Sequence, residues 1–349
     1  MIILKAIELI LQNQTGNARL NLESSGQKTI ESLKIINDFP FYSAKYYGDY
    51  KLKEFMNGAI KSPDHVIPFF EQFFSQLGFP TKLKLSDLPE RQNGCSAFFC
   101  RTAEGTVLIG KNLDWKKDPL LLLKTAPPEG YKSLSMVNLN FCDLFQLGSF
   151  NHKLLLAPYV PMDGINESGL VVTMLSVHKG SEYSFSPDKT SVGDYNIIRI
   201  ILDSCKNVDE ALTVFKNYNI MQTGPLPLHY LIADREKSSI VEFSKGEMHL
   251  LESSQMNYLT NFNKLNNPDF ENQRNFCERY SVLEEKLENC RGILEVSEAK
   301  KLLHKVSVYQ PEFELPSTIW SILYNPEELE MKIRIGKEPG FYTTFLKRE

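Results

Sequence analysis

Gly94-Cys95-Ser96-Ala97-Phe98-Phe99-Cys100-Arg101-Thr102, then Ala103-Glu104-Gly105-Thr106, then Val107-Leu108-Ile109-Gly110-Lys111-Asn112-Leu113-Asp114-Trp115, is the stretch on which the fold turns. Two apolar runs flank a short Gly-containing turn, which predicts an antiparallel β-hairpin. In a tight hairpin the end of the second strand lies beside the start of the first. Cys95, Lys111 and Asp114 are therefore expected at one sheet edge, where a thiol, an ammonium and a carboxylate converge. An acid between Leu113 and Trp115 is expected to be at least partly buried and so to need a partner.

Outward from the hairpin, further strands are predicted at Leu134–Leu139, Gly169–Val177, His229–Ala233, Ile240–Phe243, Tyr258–Asn261, Thr318–Tyr324 and Glu330–Ile335. Helices are predicted at Tyr195–Cys205, at Val208–Asn217 capped by Asn207, at Arg274–Leu287, and at Glu298–Val306 capped by Ser297. Helices grouped between two sets of strands indicate an α+β fold with antiparallel sheet layers, not alternating βαβ units. Asn166-Glu167-Ser168-Gly169 has the composition of a hairpin turn.

Residues 1–94 read differently, as a mostly helical segment. Its clearest element runs from Pro63 to Leu77, with Ser62 as cap and Gly78 and Pro80 as stop signals. Val66, Ile67, Phe69, Phe70, Phe73, Phe74 and Leu77 form an apolar stripe at helical spacing, as a core-facing helix would. The polar run Pro89-Glu90-Arg91-Gln92-Asn93-Gly94 then reads as an exposed loop.

Composition removes several classes of function. A chain of 349 residues with 42% apolar content can bury a large core. Its net charge of −4 argues against a nucleic-acid partner, and no run approaches the roughly 18 apolar residues of a membrane span. Lys5 and Glu8 interrupt the apolar N-terminus, so a cytoplasmic location is the default expectation. The six cysteines (95, 100, 142, 205, 277 and 290) form no C-x-x-C pair, and the six histidines have no metal-ligand spacing. No Gly-rich phosphate loop and no G-x-S-x-G elbow is present.

The chemistry that fits the hairpin starts from the thiol. Free cysteine has a pKa of about 8.5 and needs deprotonation to act as a nucleophile. If the bond between Gly94 and Cys95 is cut, the new α-amine titrates near about 7.7–8.0 and can accept the thiol proton of its own residue. Gly94 offers no side chain to obstruct attack of the sulfur on its carbonyl carbon.

With these residues in view, the sequence resembles the choloylglycine hydrolase and linear amide C–N hydrolase family. The likeness is carried by Gly94-Cys95-Ser96 and by Gly110-Lys111-Asn112-Leu113-Asp114-Trp115. It continues through Asp163-Gly164-Ile165-Asn166-Glu167-Ser168-Gly169-Leu170, His229-Tyr230-Leu231-Ile232-Ala233-Asp234, Leu259-Thr260-Asn261-Phe262, Glu278-Arg279-Tyr280 and Thr318-Ile319-Trp320-Ser321. Tyr46-Tyr47-Gly48-Asp49-Tyr50 is similar to the N-terminal extension of bacterial members.

The resemblance implies a four-layer αββα sandwich, the N-terminal-nucleophile hydrolase fold, over residues 95–349, preceded by the 1–94 pro-segment. It implies Cys95 as nucleophile with its freed amine as base, and Gly94–Cys95 as the cleavage site. Asp114 matches the aspartate that holds the amine and thiol, Asn261 an oxyanion-hole donor, and Arg279 an arginine that orders the site. Two positions depart from the family pattern. Lys111 stands where many relatives carry arginine, losing the planar guanidinium fork, and Ser176 stands where bile-salt-cleaving relatives carry a second oxyanion asparagine.

The implied substrate is a small N-acyl amide, with Ser176 and Trp115 as substrate-binding candidates and Phe141 and Phe145 as further apolar walls. No metal or organic cofactor is called for, and a homo-oligomer is compatible with all of this. Two other readings stay open on sequence: an acyltransferase on the same scaffold, and an unprocessed relative in which residues 1–94 bind a partner.

Overall fold

The computed structural model describes residues 24–57, 94–140, 152–224, 226–309 and 317–346, with positions 65, 68, 69, 71, 72 and 75. Most of the expected 63–77 helix, together with Phe141 and Phe145, lies outside the described residues, although Pro68, Phe69, Glu71, Gln72 and Ser75 are helical.

The opening hairpin forms as β3 (Gly94–Arg101) and β4 (Val107–Trp115). Gly105 turns it at φ +91°, a conformation that favours glycine. All nine residues of β4 are buried. Both faces of the hairpin are covered, so its strands read as almost continuous apolar runs instead of alternating ones.

The hairpin is the heart of a six-stranded antiparallel sheet ordered β14-β3-β4-β15-β16-β17. Its other members are β14 (Asn257–Leu259), β15 (Ser317–Asn325), β16 (Glu330–Ile335) and β17 (Tyr342–Phe345). Facing it is a nine-stranded sheet ordered β1-β2-β5-β6-β7-β8-β11-β12-β13. This sheet comprises β1 (Lys34–Asn37), β2 (Phe41–Lys45), β5 (Leu120–Thr125), β6 (Ser133–Asn138), β7 (Asp163–Asn166), β8 (Val171–Ser176), β11 (Leu228–Ala233), β12 (Ser238–Ser244) and β13 (Glu247–Ser253). A short parallel pair, β9 (Ser191–Gly193) with β10 (Asn219–Met221), stands apart.

Alternation sorts β3 between two cores. Cys95, Ala97 and Phe99 join Leu113 and Trp115 in the large cluster between the sheets. Phe98 and Cys100 point the other way, into a cluster shared with two helices, α6 (Glu278–Asn289) and α7 (Val296–Lys305). On the far side, α3 (Asn196–Ser204) and α4 (Val208–Asn217) cover the nine-stranded sheet through β7, β8 and β11. The result is the expected αββα layering.

Three local expectations are corrected. The predicted 274–287 helix is two helices, α5 (Phe270–Phe276) and α6, broken at Cys277, whose φ −101° and ψ 91° are extended. Helix α7 begins earlier than predicted: Glu295, not Ser297, is its cap, in a reciprocal capping box with Glu298. And the 1–94 segment is not simply helical. Besides α1 (Ser24–Glu31) and α2 (Leu52–Asn57), its described part contributes β1 and β2.

Strand β2 runs parallel to β5, with Phe41 opposite Leu120 and Lys45 opposite Lys124. Tyr42, Ala44, Tyr46, Tyr50 and Phe55 then pack on Leu121, Leu123, Val137 and Tyr159. The N-terminal segment thus completes one end of the main sheet and its outer cover. Among the described residues no helix is long and apolar enough to cross a membrane.

Candidate active site

The β3–β4 register places Gly94 opposite Asp114, Cys95 opposite Leu113 and Ala97 opposite Lys111. Opposed residues share a face, so the Cys95 and Lys111 side chains both enter the space between the sheets. Asp114 lies on the other face, beside Gly94. The expected neighbourhood of Cys95 and Asp114 therefore runs through the Gly94–Cys95 backbone, not through the thiol.

Arg279, at the start of α6, closes that side. Its Nη1 donates to the Cys95 carbonyl at 2.6 Å and to Asp114 Oδ2 at 2.9 Å, and its Nη2 donates to Asn261 Oδ1 at 2.9 Å. Asp114 Oδ1 accepts from Thr318 Oγ1 at 2.5 Å. Burial pushes the Asp114 carboxyl up, while Arg279, then Thr318 and Lys111, pull it down. The Arg279 side chain thus turns in from the helix surface and pairs with Asp114.

Glycine at 94 is a steric requirement of this arrangement. A Cβ there would stand 2.6 Å from Asp114 Oδ2 and 2.9 Å from Arg279 Nη2.

Asn261 follows β14. Its Oδ1 accepts the Cys95 backbone N–H at 2.8 Å as well as the Arg279 donor. Two donors on one atom fix which end of the amide is oxygen. The Nδ2 group consequently faces Ser176, donating to its carbonyl at 2.8 Å and its Oγ at 3.2 Å.

On the thiol's face, Lys111 is completely buried and its Nζ donates to the Met174 carbonyl. Burial pushes the Cys95 thiol up. Lys111 opposes that shift, Asp114 and Asp163 add to it, and the Ser176 backbone N–H opposes it. The cation beside the thiol thus acts as expected but is outweighed by desolvation in the uncut chain. Trp115 is buried with Cys95 in the inter-sheet core.

Residues in the quoted motifs that carried no expected role also meet here. Asp163 Oδ2 accepts from Trp320 Nε1 at 2.9 Å, and its Oδ1 is buried without a hydrogen-bond partner. Burial raises its carboxyl to about 6 against the pull of Lys111. The signal in the sequence is an acid placed directly after the apolar run Leu154–Met162. Beside the site, a cavity of about 510 Å³ touches Asn261 and Arg279 and is lined also by His178, Lys179, Gln273 and Phe276.

A model of the linear amide C–N hydrolases, choloylglycine hydrolase family, matches residues 95–292, more than half of the chain. The chain belongs to the choloylglycine hydrolase family. It is accordingly a hydrolase of carbon–nitrogen bonds in linear amides. Its fold is that of two kinds of solved family structure. A variant of conjugated bile acid hydrolase from Clostridium perfringens superposes with a TM-score of 0.52 at 16% identity, over 72% of this chain and 92% of that one. Penicillin V acylase from Agrobacterium tumefaciens gives 0.52 at 16%, over 72% and 86%. Within the family framework, the structure gathers Gly94, Cys95, Asp114, Asn261, Arg279, Lys111 and Ser176 around one strand end.

Proposed function

We propose that the protein cuts itself between Gly94 and Cys95 and then hydrolyses N-acyl amides with the N-terminal cysteine so exposed. The observation that carries this reading is the contact between the Cys95 backbone nitrogen and Asn261 Oδ1 at 2.8 Å. The nitrogen that becomes the amine is already held by a side chain of the site. The family match also starts at residue 95.

In maturation the Cys95 sulfur adds to the Gly94 carbonyl carbon and the peptide C–N bond breaks, leaving a thioester and a free Cys95 amine. Water then hydrolyses the thioester and releases the Gly94 carboxylate. In catalysis the amine takes the thiol proton, the sulfur attacks the substrate carbonyl, and the leaving amine is protonated as it departs. Water resolves the acyl-enzyme, so no metal or cofactor takes part.

The Ser176 backbone N–H, directed at the sulfur, and an Asn261 Nδ2 proton are the oxyanion donors. Asn261 frees that proton when Ser176 Oγ, its longer partner, turns away. Arg279 and Asp114 orient the amine, and Lys111 supplies positive charge on the thiol's side. Trp115 lies toward the acyl group. The leaving amine occupies the mixed polar cavity next to Asn261 and Arg279. The solved relatives are named for conjugated bile acid and penicillin V, both compatible with an N-acyl substrate. Residues 24–57 stay docked after cleavage, because β2 is a strand of the main sheet.

Intact mass and N-terminal sequencing test the first step, and release of amine from a panel of N-acyl amides tests the second. Two pieces divided at Gly94–Cys95, with no cleavage and no hydrolysis in Cys95→Ala, are expected. Hydrolysis by Cys95→Ala overturns the mechanism. Product analysis with an added acceptor amine separates hydrolysis from acyl transfer.

A further inference from the structure

The loop Thr260–Leu265 carries Asn261, and it is held by two buried residues that touch none of the reacting groups. His229 on β11 and Glu242 on β12 are both completely buried. Tyr230 pairs with Val241, so His229 and Glu242 stand opposite each other one step further along. Their Nδ1 and Oε1 atoms are 3.6 Å apart.

From there they reach the loop on both sides of Asn261. His229 Nε2 lies 2.7 Å from the Thr260 carbonyl, which can only accept, so Nε2 carries the proton. Glu242 Oε1 accepts the Lys264 backbone N–H at 2.9 Å, and Oε2 accepts that of Leu265 at 2.8 Å. Asn263 Nδ2 adds a bond to the Phe243 carbonyl at 2.8 Å. A carboxylate is costly to bury unless its oxygens are satisfied. Here they are satisfied by backbone N–H groups that no strand partner takes up.

We infer that Glu242 and His229 are positioning residues for the amide hydrolysis proposed above, acting through Asn261. The loop backbone is fixed at the residue before Asn261 and at the third and fourth residues after it. The loop so held presents the Asn261 amide where it meets the Cys95 nitrogen on one end and Ser176 on the other. The inference rests on the proposed active site.

The test uses the full-length protein with Glu242→Gln, His229→Gln and Asn219→Ala. The last removes a buried asparagine that ties down a different loop, through the Ser186 and Lys189 carbonyls. Glu242→Gln sets an N–H₂ group against one backbone N–H and breaks one arm of the hold. Both site variants are expected to lower kcat at least about tenfold with KM within about threefold, the signature of a misplaced reacting group. Cleavage at Gly94–Cys95 should slow in parallel, and hydrogen exchange across 257–265 should rise. Asn219→Ala, at a similar loss of Tm, should keep kcat within about twofold.

The inference is overturned if the folded site variants keep their kcat, or if Asn219→Ala loses as much at equal Tm. If Glu242→Gln does not fold, His229→Gln decides alone. If the wild-type chain neither matures nor cleaves amides, the active-site reading has failed. Hydrogen exchange then still judges the hold on Asn261, and unchanged protection across 257–265 rejects it.

Discussion

The side-chain oxygen of Asn261 accepts the backbone N–H of Cys95 at 2.8 Å, across 166 residues of chain. The same oxygen accepts Arg279 Nη2, so in the proposed mechanism Asn261 is both a template for the amine and, through Nδ2, a donor held in reserve by Ser176. Removing one oxyanion donor typically costs about 2.7–4 kcal/mol. Asn261→Ala is therefore expected to lower kcat by about 100- to 1,000-fold and to slow maturation as well. Steady-state kinetics on the matured fraction checks this. A rate within a few-fold of wild type would remove Asn261 from the oxyanion hole. Ser176→Ala should differ in sign from it, because loss of the Oγ acceptor releases an Nδ2 proton while the backbone N–H remains.

Gly94→Ala tests the geometry on the other side of the proposed scissile bond. The added Cβ would meet Asp114 Oδ2 at 2.6 Å. That carboxylate cannot retreat freely, since Thr318 and Arg279 grip its two oxygens at 2.5 and 2.9 Å. The strand end must shift instead, and a displacement near 1 Å at a reacting centre costs about 100-fold. Precursor lifetime by intact mass should lengthen accordingly while the fold persists. Maturation at the wild-type rate would mean that the carboxylate moves during the reaction.

How far the sequence discloses this site depends on the distance over which each contact is made. The Cys95–Trp115 hairpin is legible because its signals are local: two apolar runs and a glycine at φ +91°. The placement of Arg279 is not. It sits 184 residues from the Cys95 carbonyl it binds, and helical spacing offers it nearby glutamates as easily. Strand β5 escapes for another reason. Leu120-Leu121-Leu122-Leu123 has no alternation and high helix propensity. Only its place between β2 and β6, which buries both faces, makes it a strand. Strand β2 follows from the same cause, since without β5 there is nothing for Phe41–Lys45 to pair with. The cap of α7 shows a smaller version. Ser297 has the usual chemistry, but the side chains that close the box belong to Glu295 and Glu298.

Asp163 predicts a pH signature. Burial pushes its carboxyl up to about 6 in the folded protein, above the roughly 3.9 of an unperturbed aspartate. Between these values the folded state holds a proton that the unfolded state has lost. This group's contribution to stability is therefore greatest at low pH, falls as pH rises from about 4 to about 6, and stays reduced above that. Asp163→Asn keeps an acceptor for Trp320 Nε1 and cannot titrate. Relative to wild type it should gain up to about 3 kcal/mol between pH 4 and pH 7. Urea midpoints at the two pH values measure the difference, and parallel profiles would show that Lys111 neutralises the carboxylate fully.

In the proposed mature protein, retention of the N-terminal segment rests on a buried polar contact as much as on β2. Tyr50 is 2% exposed and its hydroxyl donates to Asp203, while Tyr159 donates to the Tyr50 carbonyl. Asp203 is also paired with Arg199 at 2.6 Å, whose Nη2 donates to Ser133 Oγ at 2.6 Å. Burial pushes the Asp203 carboxyl up, and Arg199 and the Tyr50 hydroxyl bring it down. Withdrawing Tyr50 would leave this nearly buried ion pair short of a partner, so the N-terminal segment and residues 95–349 hold each other in place. Tyr50→Phe keeps the ring packing on Tyr46 and Tyr159 and deletes one hydrogen bond to a buried carboxylate, worth about 1.5–3 kcal/mol. In matured wild-type protein the two pieces should co-elute on gel filtration and separate only as the sheet unfolds. In Tyr50→Phe they should part at a lower urea concentration than the 95–349 domain needs to unfold. Pieces that separate in the wild type without denaturant would show that β2 and Tyr50 hold only while the chain is continuous.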